Sequence, residues 1–135
     1  MKSKTFLLIE DDELEKIKFK RILNQISDNR HNLIISNDGT DALLKIDNGE
    51  IPDVIILDLN MPKMNGLEFL SFLKDTNYLL HIPVVVFSSS YNENEIKKCY
   101  ENGAAGYIVK PVDFDEYQIK MHSLIKFWEQ NEVVK

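Results

Sequence analysis

The chain of 135 residues has little of several features that mark other classes of protein. Its one cysteine, Cys99, excludes an intrachain disulfide and favours a reducing compartment. No apolar run approaches the roughly 20 residues of a membrane span, and the amino terminus shows no signal-peptide pattern. Basic residues are the minority, with 16 Lys and Arg against 22 Asp and Glu. The net charge of −6 disfavours binding to DNA or to an anionic membrane. We therefore expect a cytoplasmic protein.

What remains is the composition of an ordinary globular protein, with 44% hydrophobic and 28% charged residues. The length allows one domain with a sizeable core and leaves no room for a second of usual size. The chain has no linker and no low-complexity segment. We expect residues 1–135 to form a single domain.

Short β-branched runs alternate with helical patterns along the chain. We predict strands at residues 5–9, 32–36, 53–57, 83–87 and 106–109. We predict helices at about 13–27, 40–48, 66–74, 93–101 and 114–129. The central strands are continuous apolar runs, which is typical of parallel strands buried on both faces. Because parallel crossovers are right-handed and must cover both faces, five such units predict an α/β fold with a doubly wound, five-stranded parallel sheet.

Polar residues follow four of the predicted strands: Glu10, Asp11 and Asp12, then Asp58, Ser88 and Lys110. In an open sheet of order 2-1-3-4-5, ligands bind beyond the carboxyl ends of strands one and three. Asp12 lies next to the first helix, and we interpret it as a helix cap. Glu10, Asp11 and Asp58 require another explanation, because clustered carboxylates raise one another's pKa unless a cation neutralises them. Magnesium suits such a set of hard oxygen ligands.

A carboxylate at such a site can act as a nucleophile and form an aspartyl phosphate. Phosphoryl transfer asks the protein mainly to position groups and to neutralise the phosphoryl oxygens. A metal ion, the Lys110 ammonium and the Ser88 hydroxyl would each cover one oxygen. Alone, Lys110 and Ser88 are ordinary surface and loop residues. Placed beside the strand that ends in Asp58, both become useful.

Four segments, residues 7–12, 58–66, 85–89 and 106–111, together resemble the receiver domain of the two-component response regulators. They occur in family order and cover nearly the whole chain. The resemblance implies a flavodoxin-like fold with strand order 2-1-3-4-5 and a role in a phosphorelay. It also implies Mg²⁺ or Mn²⁺ as cofactor, and a sensor histidine kinase or a histidine phosphotransfer protein as partner. Such a domain is not a general enzyme, since it catalyses only its own phosphorylation and dephosphorylation.

The resemblance also assigns roles to individual residues. It implies Asp58 as the phosphoacceptor, Asp11 as a direct metal ligand with Glu10 as the second acid, and a metal contact from the Asn60 carbonyl. Ser88 is the implied switch hydroxyl, at a position where the family more often has Thr. Ser89 occupies a position where the family often has Ala. It further implies Tyr107 as the switch aromatic and Lys110 as a catalytic lysine. It also implies a cis peptide bond between Lys110 and Pro111.

The last predicted helix carries an apolar stripe at helical spacing that we expect to pack on the sheet: Phe114, Tyr117, Met121, Leu124, Ile125 and Trp128. Ile119 and Phe127 point away from the stripe, and they are candidates for a homodimer or partner face. Residues 114–116 and 127–128 are similar to the single-domain regulators associated with bacterial phytochromes. The chain therefore resembles a stand-alone receiver without an output domain, acting on a target that the sequence does not identify.

Other interpretations stay open. A phosphohydrolase with an aspartyl nucleophile uses a second Asp two residues on, where this chain has Asn60. A degenerate receiver that acts as an unphosphorylated interaction module is the main alternative, although the acidic, hydroxyl and lysine set is intact. His31, His81 and His122 share no metal-ligand spacing, and we expect them at the surface or in loops. We expect Cys99 to pack in a helix.

Overall fold

The computed structural model describes residues 3–76, 79 and 81–134. Within this part, five strands alternate with five helices. The strands are β1 (Thr5–Ile9), β2 (Asn32–Ser36), β3 (Val54–Leu57), β4 (Val84–Ser88) and β5 (Gly106–Val109). The helices are α1 (Glu13–Ser27), α2 (Gly39–Asp47), α3 (Gly66–Asp75), α4 (Glu93–Glu101) and α5 (Phe114–Gln130).

The five strands form one parallel sheet in the order β2-β1-β3-β4-β5. Phe6 of β1 pairs with Leu33 of β2 on one side and with Val54 of β3 on the other. The predicted topology is therefore confirmed. Because β1 and β3 are neighbours, the residues that follow them emerge side by side at the carboxyl edge of the sheet.

Three strand boundaries differ from the prediction. β3 begins at Val54, and the Oδ2 of the preceding Asp53 accepts the Thr5 N–H at 2.8 Å. β4 begins at Val84 and ends at Ser88, one residue later than predicted at each end, and Ser88 pairs with Val109. Ser88 is thus part of the sheet and completely buried, instead of lying in the loop beyond it.

An Asp or Asn caps the amino terminus of each of the five helices: Asp12, Asp38, Asn65, Asn92 and Asp113. The Asp12 carboxylate accepts the N–H groups of Leu14 at 2.9 Å and Glu15 at 3.2 Å, which confirms its interpretation as a cap. Every helix follows a strand, so the positive ends of the helix dipoles lie towards the carboxyl edge of the sheet.

The sheet is covered on both faces. One apolar cluster joins β1, β3 and β4 to α1 and α5 through residues such as Phe19, Leu23, Met121 and Ile125. The other joins the opposite face to α2, α3 and α4 through residues such as Ala42, Phe69, Leu70 and Cys99. Cys99 is buried, as expected. Strand residues of both faces are fully buried, which is why these strands read as unbroken apolar runs.

The stripe on α5 is buried from Tyr117 to Trp128, as predicted. Phe114 was wrongly included, since it is 45% exposed. It is the first residue of α5, and its ring stacks on that of Tyr117 with centroids 6.1 Å apart. Ile119 and Phe127 are 67% and 58% exposed, as the helical spacing predicted.

His31 lies in the turn before β2, which agrees with the expected surface or loop position, but its ring is fully buried at the amino edge of the sheet. Nδ1 accepts the Lys4 N–H at 3.0 Å, so the ring proton is on Nε2, which lies 2.8 Å from Glu129 Oε2. The same carboxylate is bound by Arg30 at 2.7 Å and lies 3.4 Å from the Lys126 ammonium. This Glu129 cluster fastens the last turn of α5 to the turn before β2. The other two histidines are exposed, as expected.

Across the described ranges, no helix has the length and apolar character needed to cross a membrane.

Candidate functional site

Three carboxylates meet at the carboxyl edge of the sheet. Glu10 and Asp11 follow β1, and Asp58 follows β3. One oxygen of each lies within 4.8 Å of those of the other two. Glu10 is 2% and Asp58 7% exposed, whereas Asp11 faces solvent. The cluster is therefore open on the side of Asp11 and closed on the side of the sheet.

Lys110 follows β5 and supplies the cation of this cluster. Its Nζ lies 2.8 Å from Glu10 Oε1 and 3.7 Å from Asp58 Oδ1. The ammonium also lies 5.5 Å from the centroid of the Phe87 ring. The Lys110 N–H donates to the Ser88 carbonyl at 2.7 Å, which ties the lysine to the end of β4. Backbone pairing thus places Lys110 beside both buried carboxylates.

The charges of this cluster do not balance. Burial raises the pKa of Glu10 to about 7, against the opposing effect of its hydrogen bond with Lys110. Burial also raises the pKa of Asp58, again opposed by Lys110. The pKa of Lys110 is raised because the two carboxylates outweigh the effect of its own burial. One ammonium serves two buried carboxylates, so the cluster has room for further positive charge.

The loop after β3 is held by a close approach of backbones. A Cβ built at Gly66, the first residue of α3, would lie 2.7 Å from the Leu59 Cα and 3.0 Å from the Asp58 carbonyl oxygen. The Gly66 N–H donates to the Leu59 carbonyl at 3.0 Å. On the other side, the Asn60 N–H points at Asp58 Oδ1 at 3.4 Å. Glycine at position 66 lets α3 press on the loop that orients Asp58.

Ser88 and Tyr107 both contact the same residue of the loop between β4 and α4. The Ser88 hydroxyl oxygen accepts the Ser90 N–H at 3.2 Å. The Tyr107 hydroxyl donates to the Ser90 carbonyl at 2.7 Å, and its ring packs against the apolar cluster under α2, α3 and α4. Ser90 is thus a physical link between the two residues. The sequence analysis missed it, because an additional serine after a strand carries no signal.

A cleft of about 510 Å³ lies beside the carboxylates and is lined by Asp11, Asn60, Asn65 and Glu95, among others. Glu95 comes from the first turn of α4. The sequence analysis missed it as well, since it reads as an ordinary polar position of a helix.

The cis peptide bond that the resemblance implied between Lys110 and Pro111 is not found. All peptide bonds of the described residues are trans. The trans form is the lower in energy for an X–Pro bond by about 0.5–1 kcal/mol, so it is adopted unless packing demands otherwise.

The residues at this edge fit a divalent metal ion. Three carboxylate groups offer oxygen atoms close enough to share one ion, and Lys110 is the one ammonium beside the buried pair. Hard divalent cations prefer oxygen ligands and keep several waters, which the open side at Asp11 would admit.

The family model for the response regulator receiver domain matches residues 6–122. The chain belongs to this family. It is a receiver domain of phosphorelay signal transduction, with an acidic cluster at the place where a parallel αβ sheet of this topology binds ligands.

Among curated relatives, the chain is similar to the response regulator Rcp1 of Synechocystis sp. They are 32% identical over 131 residues, which is 93% of this chain and 88% of Rcp1. Among solved structures, the phosphorylated cyanobacterial phytochrome response regulator RcpA has a TM-score of 0.91 at 29% identity, covering 98% of this chain and 99% of that one. The Mn²⁺-bound form of Rcp1 has a TM-score of 0.86 at 30% identity, with the same coverage of both chains. The predicted fold and the similarity to phytochrome-associated regulators are confirmed.

Proposed function

We propose that Asp58 accepts a phosphoryl group from a phosphohistidine, with Mg²⁺ bound by the neighbouring carboxylates, and that the protein signals through a changed surface. One observation carries the proposal. Glu10, Asp11 and Asp58 place oxygens within 4.8 Å of one another, and Lys110 lies beside the two buried carboxylates. This is the arrangement that a phosphoryl acceptor requires, because negative charge must be met on the nucleophile and on the transferred group.

In the proposed reaction an Asp58 oxygen attacks the phosphorus of the donor. The new O–P bond forms while the N–P bond breaks, and the electron pair of that bond stays on the imidazole nitrogen. The leaving group is a neutral imidazole because the other ring nitrogen of the phosphohistidine carries a proton. Lys110 lies 3.7 Å from Asp58 and can follow the charge from the carboxylate to a phosphoryl oxygen. Ser88, at the end of the adjoining strand, offers a hydroxyl to a second oxygen. The proposed catalysis is limited to the protein's own phosphorylation and dephosphorylation. In dephosphorylation water attacks the phosphorus, the Asp58 carboxylate is restored and inorganic phosphate leaves.

Magnesium is the proposed ion, with Asp11 and Asp58 as direct ligands, the Asn60 carbonyl as a third, and Glu10 acting through a water. When bound, it neutralises the carboxylates and a phosphoryl oxygen. Manganese is an equivalent choice, since the similar Rcp1 is described in an Mn²⁺-bound form. Both ions take the oxygen ligands that the cluster offers.

A protein donor, a sensor histidine kinase or a histidine phosphotransfer protein, suits the surroundings of the site. Leu14 and Ile17 on α1 are exposed, and so are Val112 and Phe114 at the start of α5. These side chains belong to elements that begin next to Glu10 and Lys110. Apolar groups around a polar site favour docking of another protein surface. A cytoplasmic location, which the lone buried cysteine favours, is part of the same proposal.

The test replaces Asp58 by Asn and weighs the protein after incubation with Mg²⁺ and a phosphodonor. The wild type should gain the mass of one phosphoryl group, and the variant should gain none. An Asp12→Asn variant is the matched control, because Asp12 caps α1 and does not belong to the cluster. Undiminished labelling of the Asp58 variant would end the proposal.

The proposed output surface consists of α4, β5 and α5. Tyr107 lines a cleft of about 720 Å³ on this surface, which it shares with Ile119, Phe127 and Trp128. Movement of Ser88 towards a phosphoryl group would disturb Ser90, and with it the hydrogen bond that holds Tyr107. A homodimer partner or a target protein would read the change through Ile119 and Phe127. DNA is not among the proposed partners, because the net charge of −6 disfavours binding to it.

Replacement of Ser88 by Ala separates phosphorylation from output. The variant should still be labelled at Asp58, yet it should show little change of oligomeric state or target affinity when the phosphate mimic beryllofluoride is added. Sedimentation of wild type and variant, each with and without beryllofluoride, measures this. A variant that responds like the wild type would show that the hydroxyl is not the switch.

A further inference from the structure

Glu95 is an acid that the proposed reaction does not use. It lies in the first turn of α4 and lines the same cleft as Asp11 and Asn60, about 510 Å³ in volume. It is outside the group of carboxylates that could share a metal ion. Its side chain is half-buried instead of projecting into solvent. Burial, and secondly the nearby Glu95 carboxylate, raise the pKa of the Cys99 thiol to about 11.

Glu95 lies in the amino-terminal turn of α4. Its own N–H is capped by the Asn92 side chain at 3.2 Å, and it occupies the third residue of α4. The amino terminus of a helix carries partial positive charge, which stabilises a carboxylate there. Glu95 therefore contributes a carboxylate to the wall of the cleft, at the positive end of the α4 dipole.

Nothing that the structure describes in the wall of the cleft offsets this charge. The charged residues of the lining are Asp11 and Glu95, and none of the described lining residues is Lys or Arg. Lys63 belongs to the adjoining loop, but its ammonium lies 3.8 Å from the carboxylate of Asp38, outside the lining. With a metal ion bound, Asp11 would be neutralised, and Glu95 would remain.

We propose that Glu95 is a specificity-determining residue that selects phosphodonors by the charge of their leaving group. The inference rests on the proposed function of Asp58. In an in-line transfer the leaving group lies opposite the attacking oxygen. A small donor that enters by the cleft therefore has its leaving group in the cleft, near Glu95. A carboxylate leaving group gains negative charge as its bond to phosphorus breaks, and Glu95 disfavours it.

A nitrogen leaving group has the opposite preference. Histidine-bound phosphate and phosphoramidate leave as neutral imidazole and ammonia once their nitrogen is protonated, so no negative charge develops near Glu95. The Glu95 carboxylate also favours the protonated nitrogen. Discrimination against acyl phosphates in this way reduces activation of the receiver by metabolites that carry an acyl phosphate bond, relative to activation by histidine donors.

The experiment compares two small donors, so that protein docking does not enter. Acetyl phosphate transfers its phosphoryl group with release of acetate, and phosphoramidate transfers it with release of ammonia. Initial rates of labelling are measured by mass at saturating Mg²⁺. Glu95→Gln should raise the rate with acetyl phosphate about threefold to tenfold and leave that with phosphoramidate unchanged or lower, as expected for one charge across a partly solvated cleft. The gain should shrink between about 20 mM and about 500 mM salt.

The control is Glu93→Gln. Glu93 lies in the same first turn of α4 and is exposed, but it does not line the cleft. Glu93→Gln removes the same charge from the first turn of α4 as Glu95→Gln does. It should alter the labelling rate with neither donor. Glu95→Asp should keep the donor preference, which excludes a loss through misfolding. Circular dichroism checks each variant.

Each other outcome has a definite meaning. Equal acceleration with both donors would show that Glu95 acts on the acceptor and not on donor choice, which overturns the inference. No acceleration, or the same acceleration from Glu93→Gln, overturns it too. These results leave the proposed function standing, provided that Asp58→Asn abolishes labelling. Labelling of Asp58→Asn, or no labelling of the wild type by either donor, removes the proposed function and this inference with it.

Discussion

Two groups of buried acids lie at opposite edges of one sheet, and they differ in how their charge is met. At the amino edge, the Glu129 carboxylate is bound by Arg30 and His31 and lies near Lys126. At the carboxyl edge, Glu10 and Asp58 share the single ammonium of Lys110. The first group has at least as many cationic partners as acids, and the second has fewer.

The pKa values follow this difference. Desolvation of Glu129 is outweighed by its hydrogen bonds with His31 and Lys126 and by the charge of Lys126, so its pKa is lowered. Desolvation outweighs Lys110 at the other edge and raises the pKa of Glu10 and of Asp58. A buried acid whose partners come from the chain itself contributes to the fold, whereas a buried acid short of cations favours binding of one from outside.

The largest effect is expected from removal of the exposed acid of the carboxyl edge. Asp11→Ala should weaken Mg²⁺ binding by about tenfold to a hundredfold, because the proposed direct ligand is lost. Phosphorylation should fall with the loss of the ion. Calorimetric titration with Mg²⁺ and labelling of Asp58 measure the two effects. Asp12→Ala, one residue on, is the control, since it loses a helix cap and no member of the cluster. Unchanged Mg²⁺ affinity of the Asp11 variant would place the ion elsewhere.

Stability should respond to the two edges in different ways. Glu129→Gln should lower the free energy of unfolding by about 1 to 3 kcal/mol, because charged partners lose the carboxylate that they bind. Glu10→Gln in metal-free protein should change it by less than about 1 kcal/mol, since it removes a charge that is incompletely compensated. Urea unfolding with a chelator present measures both. Equal losses of unfolding free energy in the two variants would mean that both acids contribute equally to stability.

A smaller effect concerns pH, and its sign should differ between the edges in metal-free protein. The folded-state pKa of Glu10, about 7, exceeds its ordinary value of 4.5, so between these values the native state holds a proton that the unfolded chain has lost. Stability should therefore fall as pH rises through this window. For Glu129 the folded-state pKa lies below 4.5, so its stabilising effect should be lost as pH falls below that value.

The measurement is the urea midpoint between about pH 3 and about pH 8, as set by these two pKa values. Glu10→Gln should flatten the neutral part of the curve, and Glu129→Gln the acidic part. Saturating Mg²⁺ should also flatten the neutral part for the wild type, because it binds the ionised carboxylates. A neutral slope that survives Glu10→Gln would have to come from another group.

The carboxyl edge was predictable because local signals determine it. Each of Glu10, Asp58 and Lys110 directly follows a strand, so the predicted topology brings them together without any knowledge of side-chain packing. The resemblance implied Ser88 and Tyr107 as switch residues, but it did not predict their shared contact with Ser90, because that contact depends on loop geometry.

The amino edge was not predictable in this way. His31 and Glu129 are 98 residues apart in the sequence, and neither belongs to a motif or follows a pattern of burial. Their contact depends on where α5 ends relative to the turn before β2, which is a matter of tertiary packing. The prediction that Phe114 packs on the sheet failed for a related reason. Helical spacing predicts the direction of a side chain but not whether the sheet extends beneath it.

The fixed tautomer of His31 makes this residue a spectroscopic reporter. Because the Lys4 amide occupies Nδ1, the proton on Nε2 is buried and directed at the Glu129 carboxylate. Such a proton exchanges slowly with water and should give a resolved downfield signal in proton NMR, whereas exposed His81 and His122 give none. The unlabelled protein thus contains one resonance that reports whether the last turn of α5 is docked while events at the opposite edge are followed.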